Sequence, residues 1–211
     1  MMKPNRTQLN RRWSFEILIG LLFLVPLTGC SDPVFWFSGM DLPFNFHEVE
    51  AGKAYRSAQP TGVELENAIN LLGLRTVINL RGTHPEETWY ADETAVCEQT
   101  GVQLADFRMS AGHLPEPDML EGIVDTLKTA EYPILIHCQS GADRTSAVAA
   151  VYRRLIAGDD KEAARAQLSY RFLHLEPRYP CMDYLIDIYE PTDEWLATYA
   201  QEYDQLPCAG G

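Results

Sequence analysis

Short apolar runs alternate with amphipathic segments from about residue 54 onward. The runs at 74–80 and 133–137 are dominated by Leu, Ile and Val, which is typical of buried strands, and a third strand is predicted over 102–109. Helices are predicted over about 61–73, 83–101, 117–129, 144–157, 160–172, 181–190 and 193–204. This alternation predicts an α/β fold, with a mainly parallel four- to five-stranded sheet flanked by helices on both faces.

Two helix starts carry capping-box patterns. Thr61 and Glu64 have the spacing of such a box, and Gly73 is suited to end the helix that it opens. Thr83 and Glu86 have the same spacing with a Pro between them, which predicts a second helix that ends at Gly101.

The first thirty residues have the pattern of an export signal rather than of a folded element. A stretch with Lys3 and three Arg residues precedes an apolar run from Ile17 to Leu27. That run has 11 residues, whereas a membrane-spanning helix needs about 20. It ends in Leu-Thr-Gly-Cys30, which resembles the bacterial lipoprotein box, and Ser31 resembles the outer-membrane sorting pattern. An ordinary secretory signal is the alternative.

These features predict three parts of the chain. Residues 1–29 are a lipoprotein-type signal peptide, 30–53 a tether and 54–205 the folded domain. Through a lipidated Cys30, the protein is expected to be attached to a membrane of the bacterial envelope, on the periplasmic side and at the outer membrane.

The charge is strongly acidic, with 17 Lys or Arg against 30 Asp or Glu and a net charge of −13. Residues 1–29 hold four of the basic residues and one Glu, so the remaining chain has 13 basic and 29 acidic residues and a net charge of −16. Such a surface excludes nucleic acid as a partner and would be repelled by anionic lipid. The oligomeric state is not predicted.

Candidate chemistry follows the strand at 133–137, in the segment His-Cys138-Gln-Ser-Gly-Ala-Asp-Arg144-Thr. Five residues separate Cys138 from Arg144, and Gly141 can adopt a positive φ, so successive N–H groups can converge on one centre at a helix N-terminus. Such a centre suits a tetrahedral dianion and favours a cysteine thiolate. Arg144 offers a planar fork for two phosphate oxygens.

This H-C-x-x-G-x-x-R-T segment resembles the signature of the cysteine-dependent protein tyrosine and dual-specificity phosphatases, of the small bacterial type. Residues 55–60, 76–81 and 107–111 are similar to other segments of that family, so the resemblance covers roughly 54–175. It implies a tyrosine phosphatase-like fold and hydrolysis of phosphate monoesters through a cysteinyl-phosphate, without metal or cofactor. The implied binding residues are Gln139, Ser140, Gly141, Ala142, Asp143, Arg144 and Thr145, with Cys138 and Arg144 catalytic.

The resemblance also implies a general acid some thirty residues before the cysteine. Asp106 lies 32 residues before Cys138 and is the predicted acid, although it falls within a predicted strand. Glu116 and Asp118 are the alternatives. His137 is expected to be structural, whereas Arg81 and Arg56 are each balanced between a phosphate contact and a surface role.

The cysteines and the substrate leave further alternatives open. If Cys30 is lipidated, Cys97, Cys181 and Cys208 can include one disulfide, of which Cys181–Cys208 is the preferred pairing.

The expected substrate is a phosphorylated protein or a small phosphate ester. The Asp directly before Arg144 is similar to the loop of myotubularin lipid phosphatases, so phosphoinositides are an alternative class of substrate. A rhodanese-like sulfurtransferase would leave Arg144 without a purpose, and a non-catalytic phosphate-binding pseudophosphatase or envelope scaffold is the remaining alternative.

Overall fold

The computed structural model describes residues 42–210. The strands are β1 (His47–Glu50), β2 (Ala54–Ser57), β3 (Thr76–Asn79), β4 (Gln103–Asp106) and β5 (Ile134–His137). The helices are α1 (Gly62–Leu72), α2 (Thr88–Thr100), α3 (Pro117–Thr129), α4 (Asp143–Leu155), α5 (Lys161–Arg165), α6 (Pro180–Ile188) and α7 (Asp193–Glu202), with 3₁₀ turns at Tyr170–Phe172 and Tyr203–Gln205.

The strands form one five-stranded sheet in the order β1-β2-β5-β3-β4. β1 pairs antiparallel with β2, and the other three pairings are parallel. His137 at the end of the central strand β5 lies between Ser57 of β2 and Asn79 of β3. The mainly parallel α/β fold predicted from the sequence is confirmed, and the parallel strands end together at one edge, where such folds place their ligands.

Two hydrophobic cores cover the two faces of this sheet. One contains the buried side chains of α3, α4 and α6, and the other lies beneath α1 and α2. All four residues of β2, β3 and β5 are buried, as expected for strands covered on both faces. None of the helices between residues 42 and 210 is long and apolar enough to cross a bilayer.

Several predicted boundaries differ from the structure. The capping box of Thr61 and Glu64 is present, but the second box is not, since α2 begins at Thr88 after Glu87, whose side chain makes no capping hydrogen bond. The helix predicted over 160–172 is a short helix followed by a 3₁₀ turn. Within 30–53, predicted as tether, residues 47–50 form an edge strand, and the residues before 42 lie outside the described part.

The C-terminal segment is held by a disulfide between Cys181 and Cys208. This confirms the preferred pairing and leaves Cys97 and Cys138 as free thiols among the described residues. The backbone N–H of Leu114 donates to the carbonyl oxygen of Cys208 at 2.8 Å. The domain therefore extends beyond residue 205, onto the loop that follows β4.

Candidate active site

Cys138 is the first residue after β5 and is 1% exposed. The chain then turns through residues 139–142 into α4, whose first residue is Asp143. Cys138 therefore lies at the carboxyl edge of the sheet, at the base of a loop that leads into a helix N-terminus. This is the strand–loop–helix context predicted for the segment.

The carbonyl groups of this loop are held by donors outside it. The carbonyl oxygen of Gln139 accepts from the N–H of Gln59 at 3.3 Å, and that of Ser140 accepts from Asn45 Nδ2 at 3.1 Å. The carbonyl oxygen of Gly141 accepts from Arg56 Nη2 at 2.8 Å. Because a trans peptide directs its N–H opposite to its C=O, the N–H groups of residues 140–142 are turned toward the inside of the loop. The predicted anion-binding cradle is thus supported from its outer side.

Gly141 is required by both conformation and space. Its φ is +68°, in the left-handed region that favours glycine. A Cβ at this position would lie 2.5 Å from backbone atoms of Ser57, the last residue of β2, and of Ala58, which follows it. The loop can therefore pack against the end of β2 only with glycine at this point.

Arg56 is completely buried behind the loop, so neither a phosphate contact nor a surface role describes it. Besides Gly141, its Nη2 donates to Ser146 Oγ at 2.7 Å, and its Nη1 donates to Gln167 Oε1 at 3.0 Å. Its Cζ lies 4.0 Å from the ring centroid of Phe172. Burial lowers the pKa of Arg56 to about 9, and the nearby Cys138 opposes this by favouring the cation.

Two further arginines lie on the inner side of the site. Arg144 Nη1 donates to the carbonyl oxygens of Leu80 and Met109, at 3.1 and 3.3 Å. Arg81 Nη1 donates to Gln59 Oε1 at 3.0 Å, and its Cζ lies 3.5 Å from the ring centroid of Trp89. Burial and the charge of Arg144 lower the pKa of Arg81, as expected for two cations that share one space. An anion between them would relieve this repulsion.

Thr145 and His137 are two buried polar residues close to Cys138 in the sequence. Thr145 is completely buried, and within residues 42–210 no protein group hydrogen-bonds its hydroxyl. His137 is also buried, and its Nε2 lies 2.7 Å from Oε1 of Glu93 on α2. Within residues 42–210, no protein group other than this partner is bonded to the side chain of His137 or of Glu93. His137 is thus tied to a helix rather than to the loop.

Asp143 forms a buried chain with a histidine that the sequence did not single out. His174 donates from Nδ1 to Asp143 Oδ1 at 2.8 Å and from Nε2 to Asp183 Oδ2 at 2.7 Å. Burial alone would lower the pKa of His174, but the two carboxylates outweigh it and hold this pKa above its ordinary value. His174 therefore fixes Asp143, next to Arg144, and the two carboxylates favour its protonated form. Among residues 42–210, no group of three or more His, Cys, Asp or Glu side chains is arranged to hold a metal ion.

Asp106 lies at the end of β4, with both carboxylate oxygens occupied. Oδ1 accepts from Asn79 Nδ2 at 2.7 Å, and Oδ2 accepts from the hydroxyl of Tyr90 at 2.6 Å. Burial and this hydrogen bond raise the pKa of Tyr90 to about 12, so Tyr90 stays a donor. Both oxygens are thus engaged by protein donors, whereas a general acid must present its carboxyl group to the leaving oxygen. Asp106 as the acid stays a prediction that this geometry does not favour.

The two alternative acids are exposed at the start of α3. Glu116 is the residue before α3 and lines a cavity with Arg108, Ser110 and His113, in the loop whose Met109 contacts Arg144. Asp118 instead lines a cavity with Asp193 of α7. Of the two, Glu116 is the one placed in the loop that reaches Arg144.

Comparison with known proteins identifies the family. The sequence pattern of the tyrosine phosphatase family matches residues 42–162, which include the whole loop from Cys138 to Arg144. The chain belongs to the tyrosine phosphatase family. In rice (Oryza sativa subsp. japonica), "Inositol diphosphatase DSP2" is 31% identical over 119 residues, which cover 54% of this chain and 55% of that protein. In Pseudomonas aeruginosa, "Dual specificity protein phosphatase TpbA" is 26% identical over 137 residues, which cover 64% of this chain and 58% of that protein.

Solved structures of this tyrosine phosphatase type share the fold. The catalytic core of the PP-IP phosphatase SIW14 from S. cerevisiae has a TM-score of 0.58 at 22% identity and covers 81% of this chain and 99% of that one. The P. aeruginosa TpbA structure has a TM-score of 0.55 at 21% identity, and the match covers 74% of this chain and 91% of that one. The chain spans about half the length of the curated relatives that it matches.

Sequence reasoning about this tyrosine phosphatase domain missed the side chains that support the loop from behind. Asn45, Gln167, Phe172 and His174 lie 31 to 127 residues from their partners near the loop. None stands in a recognisable motif, and nothing in the local pattern distinguishes them from solvated polar or ordinary core residues. The sequence singles out Arg56, but it does not predict that Arg56 supports the loop from a buried position.

Proposed function

We propose that the chain is a phosphatase that hydrolyses phosphate monoesters, of the phosphotyrosine or dual-specificity type, through a cysteinyl-phosphate on Cys138. One observation carries this proposal: the carbonyl groups of residues 139–141 are held by donors outside the loop, which turns the N–H groups of residues 140–142 inward, where with Arg144 they can bind a dianion next to Cys138. Arg81 adds a second cation at this point.

The reaction has two balanced steps. The Cys138 thiolate attacks phosphorus, the bond from phosphorus to the leaving oxygen breaks, and that oxygen takes a proton from a carboxylic acid. Water then attacks phosphorus and gives a proton to the carboxylate left by the first step, the phosphorus–sulfur bond breaks, and phosphate and the thiolate are released. The loop N–H groups and Arg144 stabilise the charge on the equatorial oxygens in both steps. We assign the acid to Glu116 rather than to Asp106, because Asp106 accepts hydrogen bonds with both oxygens.

The proposed setting is the periplasmic side of the bacterial envelope, at the outer membrane, with Cys30 lipidated after removal of residues 1–29. The lipoprotein-like sequence around Cys30 supports this part. The substrate is a phosphorylated protein or a small phosphate ester. The names of relatives add inositol diphosphates to the substrates that should be compared.

The test is hydrolysis of para-nitrophenyl phosphate by the purified protein with Cys138 kept reduced. Wild type should turn over in a vanadate-sensitive manner, and Cys138→Ser should be inactive. Arg144→Lys should lose roughly 10²–10³-fold, because Lys keeps the charge but not the bidentate fork. Arg75→Lys, which changes an exposed arginine paired with Glu131, is the matched control and should keep full activity. A folded wild type without turnover would overturn the proposal in favour of a phosphate-binding protein.

A further inference from the structure

The apolar side chains left exposed are concentrated at the edge of the sheet that holds the active site. Among residues 42–210, the large apolar side chains that are exposed are Phe44, Val63, Ile156, Tyr170, Leu173 and Leu175. All except Ile156, which follows the far end of α4, lie at the carboxyl edge of the parallel strands. We call these five residues the apolar rim.

Hydrogen bonds and a shared cavity place the apolar rim around the catalytic loop. The carbonyl oxygen of Phe44 accepts from the N–H of Ala58, directly after β2, and Val63 lies in the first turn of α1, which follows. Tyr170 begins the 3₁₀ turn whose Phe172 carbonyl accepts from Asn45. Leu173 and Leu175 line a cavity of about 300 Å³ with Ser140 of the loop.

Leu173 also has an unfavourable backbone conformation. Its φ is +65°, in the left-handed region that bulky residues rarely adopt, and its side chain is exposed. Strained residues of this kind cluster at binding and active sites, where their surroundings hold them. An apolar side chain held in this way, beside a catalytic loop, indicates a contact surface rather than a solvated loop.

The chain also enters the domain at this edge. β1 is antiparallel to β2, so its first residue, His47, lies where the parallel strands end, and the preceding Asn45 contacts Ser140. Cys30 is twelve residues before Leu42, a distance of about 40 Å even when the segment is fully extended. A domain of this size is itself about 40 Å across. The opposite edge could therefore reach an anchoring bilayer only with this segment stretched to its limit.

We propose that the apolar rim docks on the lipid bilayer in which Cys30 is anchored, so that the catalytic loop faces lipid headgroups. This inference rests on the lipid anchor in the proposed function. Because the chain after residue 29 has a net charge of −16, docking depends on burial of apolar side chains rather than on attraction to anionic lipid. Phosphate monoesters carried by lipids are then the substrates within reach of Cys138.

The experiment uses the full protein, purified from membranes and reconstituted in vesicles of phosphatidylethanolamine and phosphatidylglycerol that contain phosphatidate. Phosphate release is measured from phosphatidate and from added para-nitrophenyl phosphate. The double variant Tyr170→Ser/Leu175→Ser should hydrolyse phosphatidate roughly tenfold more slowly than wild type, since two inserting side chains are lost, and should keep the soluble rate. Ile156→Ser, at the opposite edge, should match wild type on both substrates.

Hydrogen exchange on the same vesicles separates docking from catalysis. Amides of residues 42–45 and 170–176 should be protected in wild type and Ile156→Ser, but not in the double variant or in the unlipidated Cys30→Ser protein. Absence of this protection in wild type overturns docking, and so does equal phosphatidate hydrolysis by the double variant and the control. Protection without any hydrolysis of para-nitrophenyl phosphate would instead support docking and overturn the proposed phosphatase activity.

Discussion

The guanidinium of Arg56 donates to the carbonyl oxygen of Gly141 at 2.8 Å from a completely buried position. The same group reaches Ser146 on α4 and Gln167 beyond it, so one side chain joins β2 to the catalytic loop and to the helix that follows. Its contacts are all on the outer side of the loop. The loop is therefore shaped by a cation that does not face the substrate.

Arg56→Lys should weaken both the fold and catalysis. A single ammonium cannot reach Gly141, Ser146 and Gln167 together, so at least one buried acceptor loses its partner, at a cost of about 2–3 kcal/mol. Urea unfolding should show this loss, and kcat for para-nitrophenyl phosphate should fall with it. Unchanged kcat in a destabilised protein would show that the loop holds its shape without Arg56.

Gly141→Ala should cost more than its conformation alone requires. Alanine at positive φ costs roughly 1–2 kcal/mol, and here its Cβ also meets backbone at 2.5 Å, so the loop must move. Gly158→Ala is the matched control, because Gly158 has a φ of +75° with open space around it. Thermal unfolding and kcat should show a modest loss of stability with full activity for Gly158→Ala, and a loss of both for Gly141→Ala. Equal behaviour of the two would contradict the close approach to β2.

Buried His174, held between the carboxylates of Asp143 and Asp183, should make stability depend on pH. The pKa of His174 is raised in the folded protein, so its contribution is fully present below the unfolded value of about 6.5 and is lost as pH rises through the folded value. The unfolding free energy should fall across this window by up to about 1.4 kcal/mol per pH unit. Urea unfolding at several pH values should show this slope in wild type and in His113→Gln, which changes an exposed histidine. A slope that persists in His174→Gln would assign it to another group.

The general acid can be identified by comparing the rates of variants on substrates with poor and with activated leaving groups. Glu116→Gln should slow substrates with poor leaving groups, such as phenyl phosphate, more than activated ones, because only poor leaving groups need a proton. Asp106→Asn should slow both kinds of substrate alike, because it disturbs Asn79 and Tyr90 rather than proton transfer. A selective effect of Asp106→Asn would restore the assignment made from the sequence spacing.

What the sequence predicted and what it missed have one physical cause. Strand β5, helix α3 and the capping box at Thr61 depend on neighbours within a few residues, so local pattern was enough. Arg56 and His174 act through partners that only the tertiary fold brings near. The second capping box failed because Thr83 and Glu86 have the right spacing but the helix starts later, at Thr88. Spacing favours Asp106 as the general acid. A count along the chain, however, carries no information about the two donors that meet its carboxylate.

The disulfide joins α6 to the C-terminal segment, and both of its cysteines contact the loop that holds Glu116. Cys181 Sγ lies 3.1 Å from the carbonyl oxygen of Gly112, and the N–H of Leu114 donates to the carbonyl oxygen of Cys208. Tyr199 and Tyr203 donate to the carbonyl oxygens of Pro115 and Leu114 from the same side. The loop is thus held by the segment that the disulfide closes.

Cys208→Ser should therefore affect both stability and proton transfer. For a sequence separation of 27 residues, loss of the cross-link should cost about 3.5 kcal/mol in urea unfolding. The loosened loop should place Glu116 less well, so the rate with phenyl phosphate should fall more than the rate with an activated aryl phosphate. Cys97→Ser, which removes a buried free thiol on α2, is the control and should slow both substrates equally. A Cys208→Ser protein that is destabilised but keeps the ratio of the two rates would show that the disulfide supports the fold without positioning the acid.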